Sequence, residues 1–371
     1  MFAKGAAVIQ LFEELAPKHY AMPDDKIGLQ LGTLNKEIRH ILVALDVTEA
    51  VVEEAISQGA DLIIAHHAII FRALAHLRTD TTAGRLYEKL IKHDIAVYIA
   101  HTNLDVATGG VNDLLAGQLG LTDLGHLEDV HTEKLNKLVV FVPKTHHEEV
   151  QRALFNAGAG HIGQYSHCSF NTEGQGTFMP GDSTQPFIGA QGKFERVDEV
   201  RVETIVPEAA ARRVVQAMLK AHPYEEVAYD LYPLDLKGRV FGLGRVGKLP
   251  APVTLAELAG TAKQAFDVPT VRVVGDLTRT VRKAAVLGGS GARYWRSAKF
   301  AGADVLVTGD IDYHSAHDAL ADGMTIIDVG HNVEKVMKEA VAKYMRERFT
   351  EKRYTTTVTA STINTEVFQF V

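Results

Sequence analysis

The sequence predicts an α/β fold in which duplicated α/β units form the main body, with a ferredoxin-like domain inserted between them. Three observations carry this. Short aliphatic runs alternate with amphipathic segments along both ends of the chain, the pattern of strands joined by helical crossovers. The segment Gly59-Ala60-Asp61-Leu62-Ile63-Ile64 returns as Gly302-Ala303-Asp304-Val305-Leu306-Val307 in the same local context. Between them lies a long stretch whose pattern reads β-α-β-β-α-β, the ferredoxin-like order.

Residues 1–17 read as an amphipathic helix carrying Val8, Ile9, Leu11, Phe12 and Leu15, with Glu13 and Glu14 excluding a signal peptide. Residues 41–46 form a strand, Thr48 can cap the helix predicted over 49–58, and Gly59 ends it. Leu62–Ala65 is the next strand, followed by a helix and a strand that runs into His101. Much later, 283–287 is a strand, Gly288-Gly289-Ser290-Gly291 a turn, 292–300 a helix and 305–308 a strand. The two stretches 40–105 and 283–334 therefore read as copies of one unit. In such sheets, ligands gather at the carboxyl ends of the strands.

The middle of the chain reads as strand 137–142, a helix over 146–157 closed by Gly158 and Gly160, and a glycine- and polar-rich passage at 172–185. Strand 200–206, helix 209–221 and strand 227–234 follow. The expected division is a body of residues 1–126 and 238–371 with an insert at 127–237.

At 371 residues and 46% hydrophobic, the chain can bury more than one core. The net charge of −7 gives no electrostatic footprint for nucleic acid or an anionic membrane, although Arg212-Arg213 is a local basic pair. Cys168 is the single cysteine, so there is no intrachain disulfide and no thiolate-rich zinc site. No apolar run reaches membrane-spanning length, and the expected location is cytoplasmic, with no membrane partner.

Chemistry concentrates where apolar runs end. Residues 96–100 lead into His101, with Asp105 one helical turn on, and residues 325–330 lead into His331 and Glu334. Leu62–Ala65 ends in His66-His67. Imidazoles and carboxylates at strand ends suit a borderline divalent cation. Adjacent side chains diverge, so His66 and His67 suit two different ions better than one. Spacings of i,i+4 for His101/Asp105 and i,i+3 for His331/Glu334 put each pair on one face of a starting helix. Singly, each reads better as a core histidine and a first-turn acid; their repetition in both halves favours metal. His146-His147 has no acid partner nearby and is expected at the surface.

A further polar cluster contains Asp310 and His314, candidates for acid/base work or for orienting ligands, or ordinary helix-cap polarity. Gly242-Leu243-Gly244-Arg245-Val246-Gly247 matches G-x-G-x-x-G, but Pro250 and Pro252 follow where a phosphate-binding helix should start, so it reads as strand and turn. The run at 288–291 could approach an anion through its backbone N–H groups or simply turn. No dinucleotide cofactor is expected.

On these motifs the chain resembles the NIF-three-like family of dinuclear-metal-centre proteins, also called GTP cyclohydrolase I type 2-like. The residues are Ala65-His66-His67, Ala100-His101-Thr102-Asn103-Leu104-Asp105, Gly309-Asp310 with His314, and Gly330-His331-Asn332-Val333-Glu334. Asp25-Lys26-Ile27-Gly28-Leu29-Gln30-Leu31-Gly32 looks like the family's N-terminal signature. His222-Pro223-Tyr224-Glu225-Glu226 looks like the PII/CutA-like insert of its long YqfO-type bacterial branch, so the likeness spans the chain. One departure stands out: many relatives space the last pair His-x-x-x-Glu, and here it is His-x-x-Glu.

The resemblance implies two divalent metal ions held by His66, His67, Asp105, His331 and Glu334, with His101 near them. It also implies a homohexamer, ring- or cage-like and built from trimers. The expected activity is metal-dependent hydrolysis of a small-molecule, nucleotide-type substrate, with Glu334 bridging the ions and His101 or His314 moving protons. Zinc is the first expectation, and Mn, Fe, Ni and Co also suit such ligands. The alternative is a metal-loaded ligand-sensing or regulatory protein whose insert drives or gates assembly.

Overall fold

The computed structural model describes all 371 residues. They form two compact units, Met1–His131 together with Phe241–Val371, and Thr132–Val240. The chain passes between the units inside two long strands, Thr122–Pro143 and Tyr229–Thr254, with no linker.

The first unit repeats one plan twice. In its five-stranded sheet, Leu62–Ala65 lies between His40–Ala44 and Ala96–Ile99, all parallel, and Gly28–Leu31 adds antiparallel to Ala96–Ile99. Thr357–Ala360 joins the other edge beside His40–Ala44. In the second copy, Val305–Gly309 lies between Thr280–Ser290 and Thr325–Asp328, again parallel, with Arg272–Val274 antiparallel on the outside. The central strands of both copies are buried along their whole length, which is why they read as unbroken apolar runs.

Local details repeat too. Asp61 Oδ2 accepts from the backbone N–H groups of Arg39 and His40 at 2.6 and 3.1 Å. Asp304 Oδ2 accepts from those of Arg282 and Lys283 at 2.7 and 3.0 Å. Each aspartate thus ties its own strand's approach to the backbone of the neighbouring strand, just before the parallel pairing begins. Register pairs Leu62 with Ala96 and Val305 with Thr325, and Asp105 and Glu334 follow these partners at the same interval. The two acids are therefore equivalent points of the duplication.

The glycine run at 288–291 differs from expectation. Instead of turning, the strand Thr280–Ser290 continues through it, with a register shift between Val286 and Ser290. The helix expected over 292–300 opens with a 3-10 turn, Ala292–Tyr294, before Trp295–Phe300.

The second unit contains, in order, part of Thr122–Pro143, helix His147–Asn156, strands Ser169–Phe178 and Glu195–Pro207, helix Glu208–Ala221 and part of Tyr229–Thr254. Its strands lie fourth–first–third–second across the sheet. Leu138, Val140 and Val142 meet Val150, Leu154, Val214 and Met218 in its core. The strand Ser169–Phe178 covers the first half of the glycine- and polar-rich passage at 172–185. It is an edge strand, mostly exposed, so it lacks the apolar alternation that betrays a strand. His146 and His147, expected at the surface, are half-buried, and the His146 ring meets Phe187 edge-on at 5.1 Å. No helix is long and apolar enough to cross a membrane.

Replacing either Asp61 or Asp304 by alanine should cost about 1–2 kcal/mol, because each leaves backbone donors unpaired. Urea unfolding of the two single variants should give similar losses; a neutral result at either position would refute the equivalence.

Candidate metal centre

The strand ends of both copies supply the centre. His66 is fully buried, and its Nδ1 lies 2.8 Å from the Ala100 carbonyl oxygen. A carbonyl only accepts, so Nδ1 carries the proton and Nε2 presents its lone pair. His67 Nδ1 donates to Asp46 Oδ1 at 2.6 Å, and His331 Nδ1 to Asp310 Oδ2 at 2.8 Å. His101 Nδ1 donates to Asp25 Oδ1 at 2.8 Å. Oxygen acceptors behind histidines fix tautomer and ring angle, the support that metal-ligating histidines require.

Glu334 stands at the middle. Its Oε1 lies 3.7 Å from His66 Nε2, while its Oε2 lies 3.1 Å from His67 Nε2 and 3.2 Å from His331 Nε2. Asp105 Oδ1 lies 3.6 Å from His66 Nε2. Three groups of donor atoms result, each within 4.8 Å: His66/Asp105/Glu334, His67/His331/Glu334 and His66/His67/His101. All five residues expected as ligands fall in the first two groups, and His101 joins the third.

Two observations test whether a cation fits. His66 Nε2 and Asp105 Oδ1 are buried and make no hydrogen bond, a costly arrangement that a cation between them would relieve. His67 Nε2 and His331 Nε2 lie 3.3 Å apart and both face Glu334 Oε2, so three donor atoms converge where one cation could replace the imidazole protons. The donor set fits a divalent ion.

Backbone detail explains how the ligands meet. His331–Val336 is a 3-10 helix, in which side chains three apart eclipse, so the spacing His-x-x-Glu brings His331 and Glu334 together. Asp310 adopts a left-handed φ of 57°, uncommon away from glycine, as it turns its carboxylate to His331. The glycine run makes room: a Cβ on Gly289 would sit 2.4 Å from Glu334 Oε1. Of the two readings of that run, neither anion site nor tight turn describes it; it is a cradle for Glu334.

The second polar cluster divides. Asp310 supports His331, and Asp312 caps the helix Tyr313–Ala321 by accepting from the His314 and Ser315 N–H groups. His314 itself is exposed, lies edge-on to Tyr313 and belongs to none of the ligand groups. Its expected proton-transfer role therefore has no geometric support here. Sequence reasoning passed over Asp46, whose signal was present: it too ends an apolar run, 41–45. It also missed Asn112, fully buried, which donates to the Asp105 carbonyl and accepts from Gly288 N–H at 2.9 Å, tying the two copies together.

Electrostatics are dominated by the carboxylates. Burial opposes charge on His67, but hydrogen bonds to Asp46 and Glu334 outweigh it and push the imidazole up to about 10. The hydrogen bond to Glu334, against burial and with help from Asp310, pushes His331 up to about 9. Burial, reinforced by Glu334, raises Asp105 to about 6. Burial also opposes charge on Glu334, yet His66, His331 and His67 hold it ionised well below the usual carboxylate range.

A family model described as Duf34/NIF3 (NGG1p interacting factor 3) matches residues 3–366. The chain belongs to this family. It is similar to a protein of Halalkalibacterium halodurans named "GTP cyclohydrolase 1 type 2 homolog", 56% identical over 369 residues, 100% of this chain and 99% of the relative. A Bacillus subtilis protein of the same name is 53% identical, with 99% and 98% covered. Among solved structures, a Bacillus cereus protein related to NIF3 is 55% identical, with a TM-score of 0.95 and 100% of both chains covered. The Duf34/NIF3 resemblance read from the strand-end motifs thus extends across the chain.

In the chelated protein His67 and His331 hold protons at neutral pH, so metal uptake must displace them and apparent affinity should climb as pH rises toward 9–10. Calorimetric titration with zinc in buffers of different ionisation enthalpy should detect that proton release; buffer-independent heats would contradict it. Asp46→Ala should weaken metal binding by roughly 10–100-fold while sparing the fold. Metal content after dialysis against a graded chelator, with circular dichroism as control, measures this.

Proposed function

We propose that the chain is a dinuclear-metal-dependent hydrolase acting on a nucleotide-type substrate. The observation that carries this reading is Glu334, a buried carboxylate whose two oxygens face two different ligand groups. His66, Asp105 and Glu334 would hold one divalent ion, and His67, His331 and Glu334 the second, zinc being the first expectation among Zn, Mn, Fe, Ni and Co. Bound ions would supply Lewis acidity and bring the pKa of a coordinated water toward 7.

The protein's own residues do the rest. Asp46 and Asp310 hold the His67 and His331 rings by their Nδ1 atoms, so both Nε2 atoms point at Glu334. His101 is the proton carrier in this reading: it is half-buried beside His66, with ring centroids 5.1 Å apart, and Asp25 backs its Nδ1. The direction toward nucleotides draws support from the name shared by the relatives at 56% and 53% identity.

We further read Thr132–Val240 as a ferredoxin-like, PII/CutA-like insert that builds a homohexamer from trimers. Its β-α-β-β-α-β order and fourth–first–third–second strand arrangement support the ferredoxin-like part. One observation favours a second reading, a metal-loaded sensor: this unit encloses a cavity of about 610 Å³, the size of a small-molecule site.

Metal-loaded protein should hydrolyse at least one member of a panel of nucleoside mono-, di- and triphosphates and phosphodiesters. His67→Ala should lose that activity by roughly two orders of magnitude. If no nucleotide turns over, or His67→Ala matches the wild type, the hydrolase reading fails. Anomalous scattering at metal absorption edges checks the number and identity of the ions.

A further inference from the structure

The cavity of the Thr132–Val240 unit has a chemical character of its own, independent of the metal centre. Phe178, Phe187 and Tyr224 stand around it at angles, with the Tyr224 ring 5.9 Å from Phe178 and 6.5 Å from Phe187. All three rings line the cavity, and an aromatic wall can attract a cation where a ring face is presented to it.

The charges lining it are nearly all of one sign. Glu173, Glu199, Glu225 and Glu226 border it, against a single cation, Arg201. Arg201 is already engaged by Glu203 at 2.9 Å, whereas Glu203 lies outside the lining. Glu173 pairs with Lys144, and Glu225 accepts from the Gln185 backbone N–H at 3.0 Å.

Glu199 is the decisive residue. It is 8% exposed, and its side chain has one hydrogen bond, accepted by Oε1 from the Tyr224 hydroxyl at 3.0 Å. Oε2 has no donor. The chain makes deliberate space for this carboxylate, because a Cβ on Gly176 would lie 2.1 Å from Oε2. A carboxylate in an aromatic-lined cavity, with one oxygen accepting no hydrogen bond from the chain, is a natural partner for a positive group.

We propose that this cavity binds a small organic cation, an ammonium group carried on an apolar body, held by Glu199 and the faces of Phe178, Phe187 and Tyr224. The aromatic faces attract the cation through their quadrupoles, and the carboxylate neutralises it. A cavity of about 610 Å³ accommodates a ligand of metabolite size. The same wall repels phosphates and carboxylates, so the site selects against anionic nucleotides.

The test is calorimetric titration of the full-length, metal-loaded protein with two probes, benzyltrimethylammonium and phenethylamine, and with ATP as the anionic comparison. The expected result is saturable binding of at least one cation, weakened at least about tenfold by Glu199→Gln, which keeps the shape of the side chain and removes its charge. Phe187→Ala should weaken it as well, while metal content and melting temperature stay at wild-type values. No binding of either cation at about 1 mM, equal binding by Glu199→Gln, or displacement of the bound cation by ATP would each overturn the proposal. None of these readings depends on hydrolytic activity, so the site and the hydrolase reading stand or fall separately.

Discussion

A buried carboxylate shared by three imidazoles organises this protein. Glu334 is 3% exposed, and burial alone would drive it to the neutral acid. It stays charged because His66 meets one of its oxygens while His67 and His331 meet the other. Remove any imidazole and the remaining groups face an uncompensated charge in a dry setting, where electrostatic imbalance is expensive. The glycine strand beneath, the 3-10 turn and the left-handed Asp310 all serve that one placement.

The duplicated architecture explains why the placement is attainable. Parallel strands deliver their carboxyl ends to one edge, and two copies facing one another deliver two such edges. Asp105 comes from one copy and Glu334 from the equivalent point of the other. The histidines break the symmetry: where the first copy has His66-His67, the second has Gly309-Asp310. At this one position the first copy supplies two ligands, while the second supplies a glycine and the carboxylate that holds His331.

Much of this was legible in the sequence because buried parallel strands leave an unbroken apolar signature, and because His66-His67, His101 and His331 each close one. The repeated Gly-Ala-Asp segment exposed the duplication for a physical reason: both aspartates must satisfy the same pair of backbone donors. The two unit boundaries fall inside strands, a few residues from the division at 126/127 and 237/238 read from sequence. What stayed hidden lacked such a signature. The edge strand Ser169–Phe178 is mostly exposed and so looks irregular. The cradle at Gly289 looked like a turn, since its real requirement is the approach of a side chain forty-odd residues on, which no local pattern encodes. His314 misled for the opposite reason. It sits in a polar cluster whose members face different ways once Asp312 has begun a helix.

Asp46 has one further bond. While Oδ1 holds His67, Oδ2 accepts from the Thr365 hydroxyl, so a residue late in the chain braces a ligand near its start. Ribosomal synthesis delivers these residues in order, and the folding of earlier segments begins before later ones exist. The His66-His67 pair therefore emerges long before Glu334, and its support from Thr365 arrives later still. Until residues 334 and 365 are made, His67 lacks its carboxylate partner and Asp46 lacks its brace.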